Sequence, residues 1–187
     1  MTNRRLAPLL LLLAGCGFFS KSAPPKLYSL DRLPPTAPPA AAVRALPIGI
    51  DAVELPPGID RREIVVRQPD HRLEVRGGEQ WSAPFKNLVL HTLAFDLAAR
   101  LPVGMVIVPG EAKPATMRSI DVAFEELAAL SDRTVVADAR WVLHEPGRPD
   151  VAHHDRIVVN VASLDAAQIA TGISQALAGL ADRMTAQ

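Results

Sequence analysis

The chain has 187 residues, 49% of them apolar, with 20 basic side chains against 20 acidic ones and a single cysteine. One cysteine excludes an intramolecular disulfide framework and a cysteine-cluster metal site, and a formal charge of zero argues against a nucleic-acid binder. The apolar content excludes a chain disordered throughout, and the length suits one domain with tails.

The N-terminus reads as an export signal. Arg4 and Arg5 form a positive head, Leu6–Leu13 is apolar apart from Pro8, and Ala14, Gly15 and Cys16 follow. The apolar run is too short to cross a bilayer, which takes about 18 residues or more. Leu13-Ala14-Gly15-Cys16 resembles the bacterial lipobox, in which small residues admit the signal peptidase and the cysteine thiol takes up the lipid. Cys16 is therefore the expected lipidation site. Several acyl chains, each methylene contributing about 0.8 kcal/mol on burial, make a durable anchor. By resemblance to enterobacterial sorting rules, Gly17 at the next position, in place of Asp, favours the outer membrane over retention at the inner one. Removal of residues 1–15 takes away two arginines, leaving 18 basic and 20 acidic side chains and a net charge of −2.

Residues 16–45 are expected to be the lipidated cysteine, a tether and a linker rich in proline (Pro34, Pro35, Pro38, Pro39), with a brief edge strand at Lys26–Leu30. The globular domain is expected over residues 46–187. Ile48–Val53 alternates as a strand. Ile64–Arg67 and Arg72–Val75 flank Gln68-Pro69-Asp70-His71 as a hairpin, and Gly77-Gly78 reads as a break. Ala83–Leu101 carries Val89, Leu90, Leu93, Leu97 and Leu101 at helical spacing, with Asp96 and Arg100 off the stripe, Ser82 as a cap and Pro84 in the first turn. Val103–Val108 reads as a buried strand.

Three alternating runs follow, around Ile120–Phe124, Val135–Leu143 and Val151–Val161, joined by short loops. They predict an antiparallel meander. Asp165 caps a closing helix to Met184, striped with Ile169, Ile173, Leu177 and Leu180. Gly172 and Gly179 within it either admit close packing or weaken the helix by about 1 kcal/mol each. The fold class is α/β: a mixed sheet with a βαβ crossover and an antiparallel meander, packed by two main helices.

No catalytic constellation is visible. His153 and His154 are adjacent on a strand and point to opposite faces, so they do not readily share a metal ion. Glu125-Glu126 fails as an acid–base pair on the same ground. Gly172-Ile173-Ser174-Gln175-Ala176 echoes a nucleophile elbow but lacks the last glycine and lies within a helix. Gly77-Gly78 lacks the spacing and the lysine of a phosphate loop. No metal or cofactor is expected. Trp141 reads as core. Trp81 reads as a core plug or a contact for a partner, and Arg61, Arg62 and Arg67 as a basic edge or one neutralised by Asp60 and Glu63.

Together these residues resemble a known family. The lipobox is followed by Leu27-Tyr28-Ser29-Leu30, the proline-rich run, Leu55-Pro56, Asp60-Arg61-Arg62-Glu63-Ile64-Val65-Val66-Arg67, then Trp81 ahead of a helix ending Leu97-Ala98-Ala99-Arg100-Leu101. Ala137-Asp138-Ala139-Arg140-Trp141 and the Ala/Leu-rich closing helix complete the series. The chain from Tyr28 to Met184 is similar to the PqiC-type family of ABC transport auxiliary lipoproteins. The resemblance implies a non-enzymatic lipoprotein on the periplasmic face of the outer membrane. It would be an accessory subunit of an intermembrane lipid transport system with an MCE-domain protein and an ABC permease and ATPase as partners, with homo-oligomers among its assembly forms. Arg62, Arg67, Trp81, Arg140 and Trp141 match recurrent positions, and Trp81, Arg62 and Arg67 are the candidate partner-binding residues. The alternative from the same plan of tether plus small domain is a lipoprotein scaffold or activator of a cell-envelope enzyme.

Overall fold

The three runs of alternating residues fold as expected into a meander of long antiparallel strands. In the computed structural model, which describes residues 23–36 and 46–186, they are β6 (Arg118–Leu130), β7 (Thr134–His144) and β8 (Val151–Asn160), after β1 (Lys26–Tyr28), β2 (Ile48–Glu54), β3 (Glu63–Arg67), β4 (Leu73–Trp81), helix α1 (Phe85–Arg100) and β5 (Val106–Ile107); helix α2 (Ala166–Thr185) closes the chain. β7 pairs with β6 on one side and β8 on the other. The opposite side of β6 is shared: its first half pairs in parallel with β2 and its last residues in parallel with β3. β4 continues antiparallel from β3, and β1 adds in parallel to β4. The result is one mixed sheet of eight strands with two helices.

The expected crossover is present with β2 and β5 as its parallel pair. α1 lies on the chain between them, preceded by the β3–β4 hairpin. Two bulges shift the side-chain alternation. In β6 the register slips between Phe124 and Glu126, so the buried positions change from Ile120, Val122 and Phe124 to Leu127 and Ala129. In β2 a slip between Ile50 and Ala52 does the same for Ile48, Ile50 and Val53. An extra residue in one strand of a pair is what keeps the apolar row on one face across such a shift.

Both helices lie on that face, packed on each other and on β2, β5, β7 and β8. α2 begins as expected, with the Asp165 carboxylate accepting the Gln168 N–H at 2.9 Å. Its glycines resolve toward close packing. A Cβ on Gly172 would stand 2.6 Å from Val161 Cγ1 and 2.7 Å from Val135 Cγ2, and one on Gly179 would stand 3.1 Å from Ile157 Cγ2.

Four local expectations are corrected. Ser82 does not cap α1: the N-cap is Pro84, without a side-chain bond, and Asp60 Oδ1 accepts the Lys86 N–H from a distant loop at 3.2 Å. Gly77-Gly78 does not end β4, which runs on to Trp81. The glycines occupy the register shift between Glu63 and Ile64, where the backbone bows out. The strand expected over Val103–Val108 shrinks to two residues. Pro102–Met105 is a turn, with the Met105 N–H on the Pro102 carbonyl at 3.0 Å and Gly104 at φ +81°, and Val103 is fully exposed. Finally, the edge strand expected at Lys26–Leu30 is present as β1, but the residues after it, 29–36, expected as tether and linker, belong to the packed body. β1 is in the sheet, and Leu30 is in the core at 8% exposure.

Candidate functional site

Two features stand out from the packing: a strap laid across the helices and a sheet face that the helices leave open. The strap is the segment after β1. The Asp31 N–H donates to Ser174 Oγ on α2 at 2.9 Å, and the Leu33 N–H donates to Asp96 Oδ1 on α1 at 2.9 Å. Arg100 donates to the Leu33 carbonyl (3.2 Å), to the Asp96 carbonyl (2.8 Å) and to the Asp182 carboxylate (2.6 Å). Arg32 sits over the Phe95 ring at 3.2 Å. Strap and α2 together bury Asp96 and Arg100, which the apolar stripe of α1 had placed off the core. Burial pushes the Asp96 carboxyl up to about 6, against the opposing pull of the Leu33 N–H and Arg100.

The strap also settles the role of Ser174. Its hydroxyl donates to the Ala170 carbonyl at 2.7 Å and accepts from Asp31, inside the core. It is a structural hydroxyl and not a nucleophile.

The open face carries the even-numbered side chains of β7 and β8. The helices pack on the odd-numbered face, yet Val136 (2% exposed) and Asp138 (8%) on this one are themselves buried. Asp138, at the centre, pairs with Arg156 and with His154 Nε2 (2.5 Å). Burial would raise its carboxyl, but the bonds from Arg156 and His154 outweigh this and hold it below the usual carboxylate range. Glu126 receives Arg67 at 2.6 Å and Arg156 at 3.5 Å, and Arg140 pairs with Glu125. The bulge in β6 thus puts Glu125 and Glu126 on the same network, where simple alternation had placed them on opposite faces. Each is taken by a guanidinium, so the two do not form an acid–base pair.

His153 and His154 do face opposite ways. His153 stacks on Trp141 in the core, ring centroids 4.0 Å apart, while His154 lies on the open face. Glu125, Asp138 and His154 bring one ligand atom each within 4.8 Å of one another. Arg140 pairs with Glu125 and Arg156 with Asp138, so the carboxylates of the cluster are neutralised without an ion.

The residues singled out from sequence are not gathered into one place. Trp81 is a core residue, 3% exposed and stacked on Phe85 at 4.7 Å between centroids, so its ring is not on the surface. Arg62 is exposed, and its carbonyl accepts the Trp81 N–H at 2.7 Å. Arg67 is exposed on the open face beside Glu126, and Arg61 pairs with Glu63 at 2.9 Å. Cys16 lies outside the described residues.

The family model of the ABC-type transport auxiliary lipoprotein component matches residues 28–185. The chain belongs to this family. For an auxiliary lipoprotein, it shares its fold with solved structures at low identity. A crystal structure of an uncharacterized protein superposes with a TM-score of 0.71 at 15% identity, covering 87% of this chain and 97% of that one. The structure of protein XCC0632 from Xanthomonas campestris superposes at 0.63 and 14% identity, covering 85% and 92%. No curated protein matches. The match begins at Tyr28, inside β1, so the auxiliary lipoprotein unit includes the strap.

Family membership gives an accessory role in an ABC-type transport system. Among the described residues no helix is long and apolar enough to cross a membrane.

Proposed function

We propose that this protein is a lipoprotein anchored through Cys16 to the periplasmic face of the outer membrane, where it serves as the accessory subunit of an intermembrane lipid transport system built from an MCE-domain protein and an ABC permease and ATPase. The observation that carries the reading is the lipobox, Leu13 to Cys16, standing just ahead of a chain matched to the auxiliary lipoprotein family from residue 28 to 185. The architecture supports a binding role over chemistry. The open face is an ion-pair lattice whose acids are matched by Arg67, Arg140 and Arg156.

Two experiments test it. In cells, Cys16→Ser is expected to release the protein from outer-membrane fractions, and retention after a carbonate wash would refute the lipid anchor. Crosslinking in cells is expected to recover an MCE-domain protein. Recovery of cell-wall synthases alone would replace this reading with that of an enzyme scaffold.

A further inference from the structure

The sheet ends on one side in β8, and that edge differs from the others. β1 is three residues long and β5 two, whereas β8 has ten. Exposed edge strands offer unpaired N–H and C=O groups to any passing chain, and proteins blunt them by shortness, proline, lysine or a bulge. β8, Val151-Ala152-His153-His154-Asp155-Arg156-Ile157-Val158-Val159-Asn160, contains neither proline nor lysine, and its pairing with β7 runs without a register shift. Among the described residues nothing pairs with its outer side.

The ladder fixes which groups are free. Thr134 stands opposite Asn160, and the Val161 N–H donates to the Arg133 carbonyl at 2.9 Å. Antiparallel pairs alternate between bonded and non-bonded. The odd residues of β8 therefore bond inward to β7. The N–H and C=O groups of Ala152, His154, Arg156, Val158 and Asn160 point outward. Their side chains share the open face, where the row reads small, cationic when protonated, cationic, apolar, polar. No acid stands in that row. The carboxylates that meet it, Asp138 and Glu126, lie inboard on β7 and β6, and the side chains of His154 and Arg156 remain about half exposed. Val158 is 54% exposed.

We propose that the outer side of β8 is a docking edge that takes an extended strand of a partner protein, one carrying carboxylates opposite His154 and Arg156 and an apolar side chain opposite Val158. Main-chain bonds along the edge would supply affinity, and the cross-strand pairs on the open face would supply specificity. The inference rests on the edge itself and not on the transport reading, so the two fail separately.

The test uses the full chain carrying Cys16→Ser and a blocked heptapeptide with valine at positions 1 and 7, glutamate at positions 3 and 5 and threonine at the others, so that both glutamates and a valine share one strand face in either direction. Its counterpart has lysine in place of glutamate. Amide exchange is followed residue by residue by NMR. At about 1 mM glutamate peptide the amides of His154, Arg156 and Val158 are expected to exchange about tenfold slower, with little effect from the lysine peptide. Val158→Pro removes an outward N–H only and is expected to abolish this protection while the melting temperature holds. Arg156→Glu is expected to reverse the peptide preference. Absence of protection, equal protection by both peptides, or protection that rises with protein concentration alone, which would show the edge occupied by a second copy, overturns the proposal.

Discussion

Replacing Gly172 by alanine sets two effects of similar size against each other. In a helix interior alanine is favoured over glycine by about 1 kcal/mol. Against that, the new Cβ would stand 2.6 Å from Val161 Cγ1, 2.7 Å from Val135 Cγ2 and 3.3 Å from Val135 Cβ. Both valines are β-branched and held on or beside strands, so neither rotates away cheaply. Relief requires α2 to lift from β7 and β8, and overpacking of this kind costs about 1–3 kcal/mol. The net expectation is a loss of up to about 2 kcal/mol, or as much as roughly 4–8 °C in melting temperature for a body of this size. Gly179 is the internal control. Its Cβ would meet only Ile157, at 3.1 Å, and the helix gain nearly offsets that contact. Gly179→Ala is expected to melt within about 2 °C of the parent. Thermal and urea melts of both variants decide the matter. A Gly172→Ala protein as stable as Gly179→Ala would refute the argument that α2 is seated through this glycine.

The other predictions concern the strap. Asp96 has a carboxyl raised to about 6 in the folded protein against 3.8 for the free side chain. The folded state therefore holds more protons between those values, and the neutral form's stabilising contribution is complete below pH 3.8 and lost as pH rises through 6. Relative to Asp96→Asn, the parent is expected to lose on the order of 3 kcal/mol between pH 4 and pH 8 in urea melts; a constant difference would contradict the burial argument. Arg100→Ala removes the cation shared by Asp182 and the Leu33 and Asp96 carbonyls. It should cost roughly 3–5 kcal/mol and raise exchange at the Asp31 and Leu33 amides before the sheet amides, as NMR would show. Trp81→Ala should cost about 3–5 kcal/mol, and a loss below 1 kcal/mol would show that the ring is not the core plug its burial indicates.

Local pattern was sufficient where partners are near in sequence. The meander was legible because each strand meets the next across a short loop, and the alternation of Val135, Ala137, Ala139 and Trp141 marks the core face directly. The β6 bulge was also visible in principle, since buried positions pass from even at Phe124 to odd at Leu127. The Pro102-Val103-Gly104 turn was obscured by the apolar run around it, although a glycine after proline and one further residue is a turn signal. The strap was not legible. Asp96 and Arg100 look like solvent-facing residues on a helical wheel, and only the return of residues 31–33, more than 60 positions earlier in the chain, buries them. The open-face network shared this difficulty, because Arg67, Glu126, Asp138 and Arg156 meet only through the order of the strands.

Because β1 belongs to the sheet, the leash is short. Nine residues lie between Cys16 and Lys26, so a lipid on that cysteine would moor the body within about 35 Å even with the chain fully extended. The moored strand and the free one occupy opposite margins along β1-β4-β3-β6-β7-β8. At about 4.8 Å per strand spacing they lie roughly 24 Å apart. A lipid on Cys16 would thus hold the sheet by its β1 margin, one sheet width away from the free β8 edge.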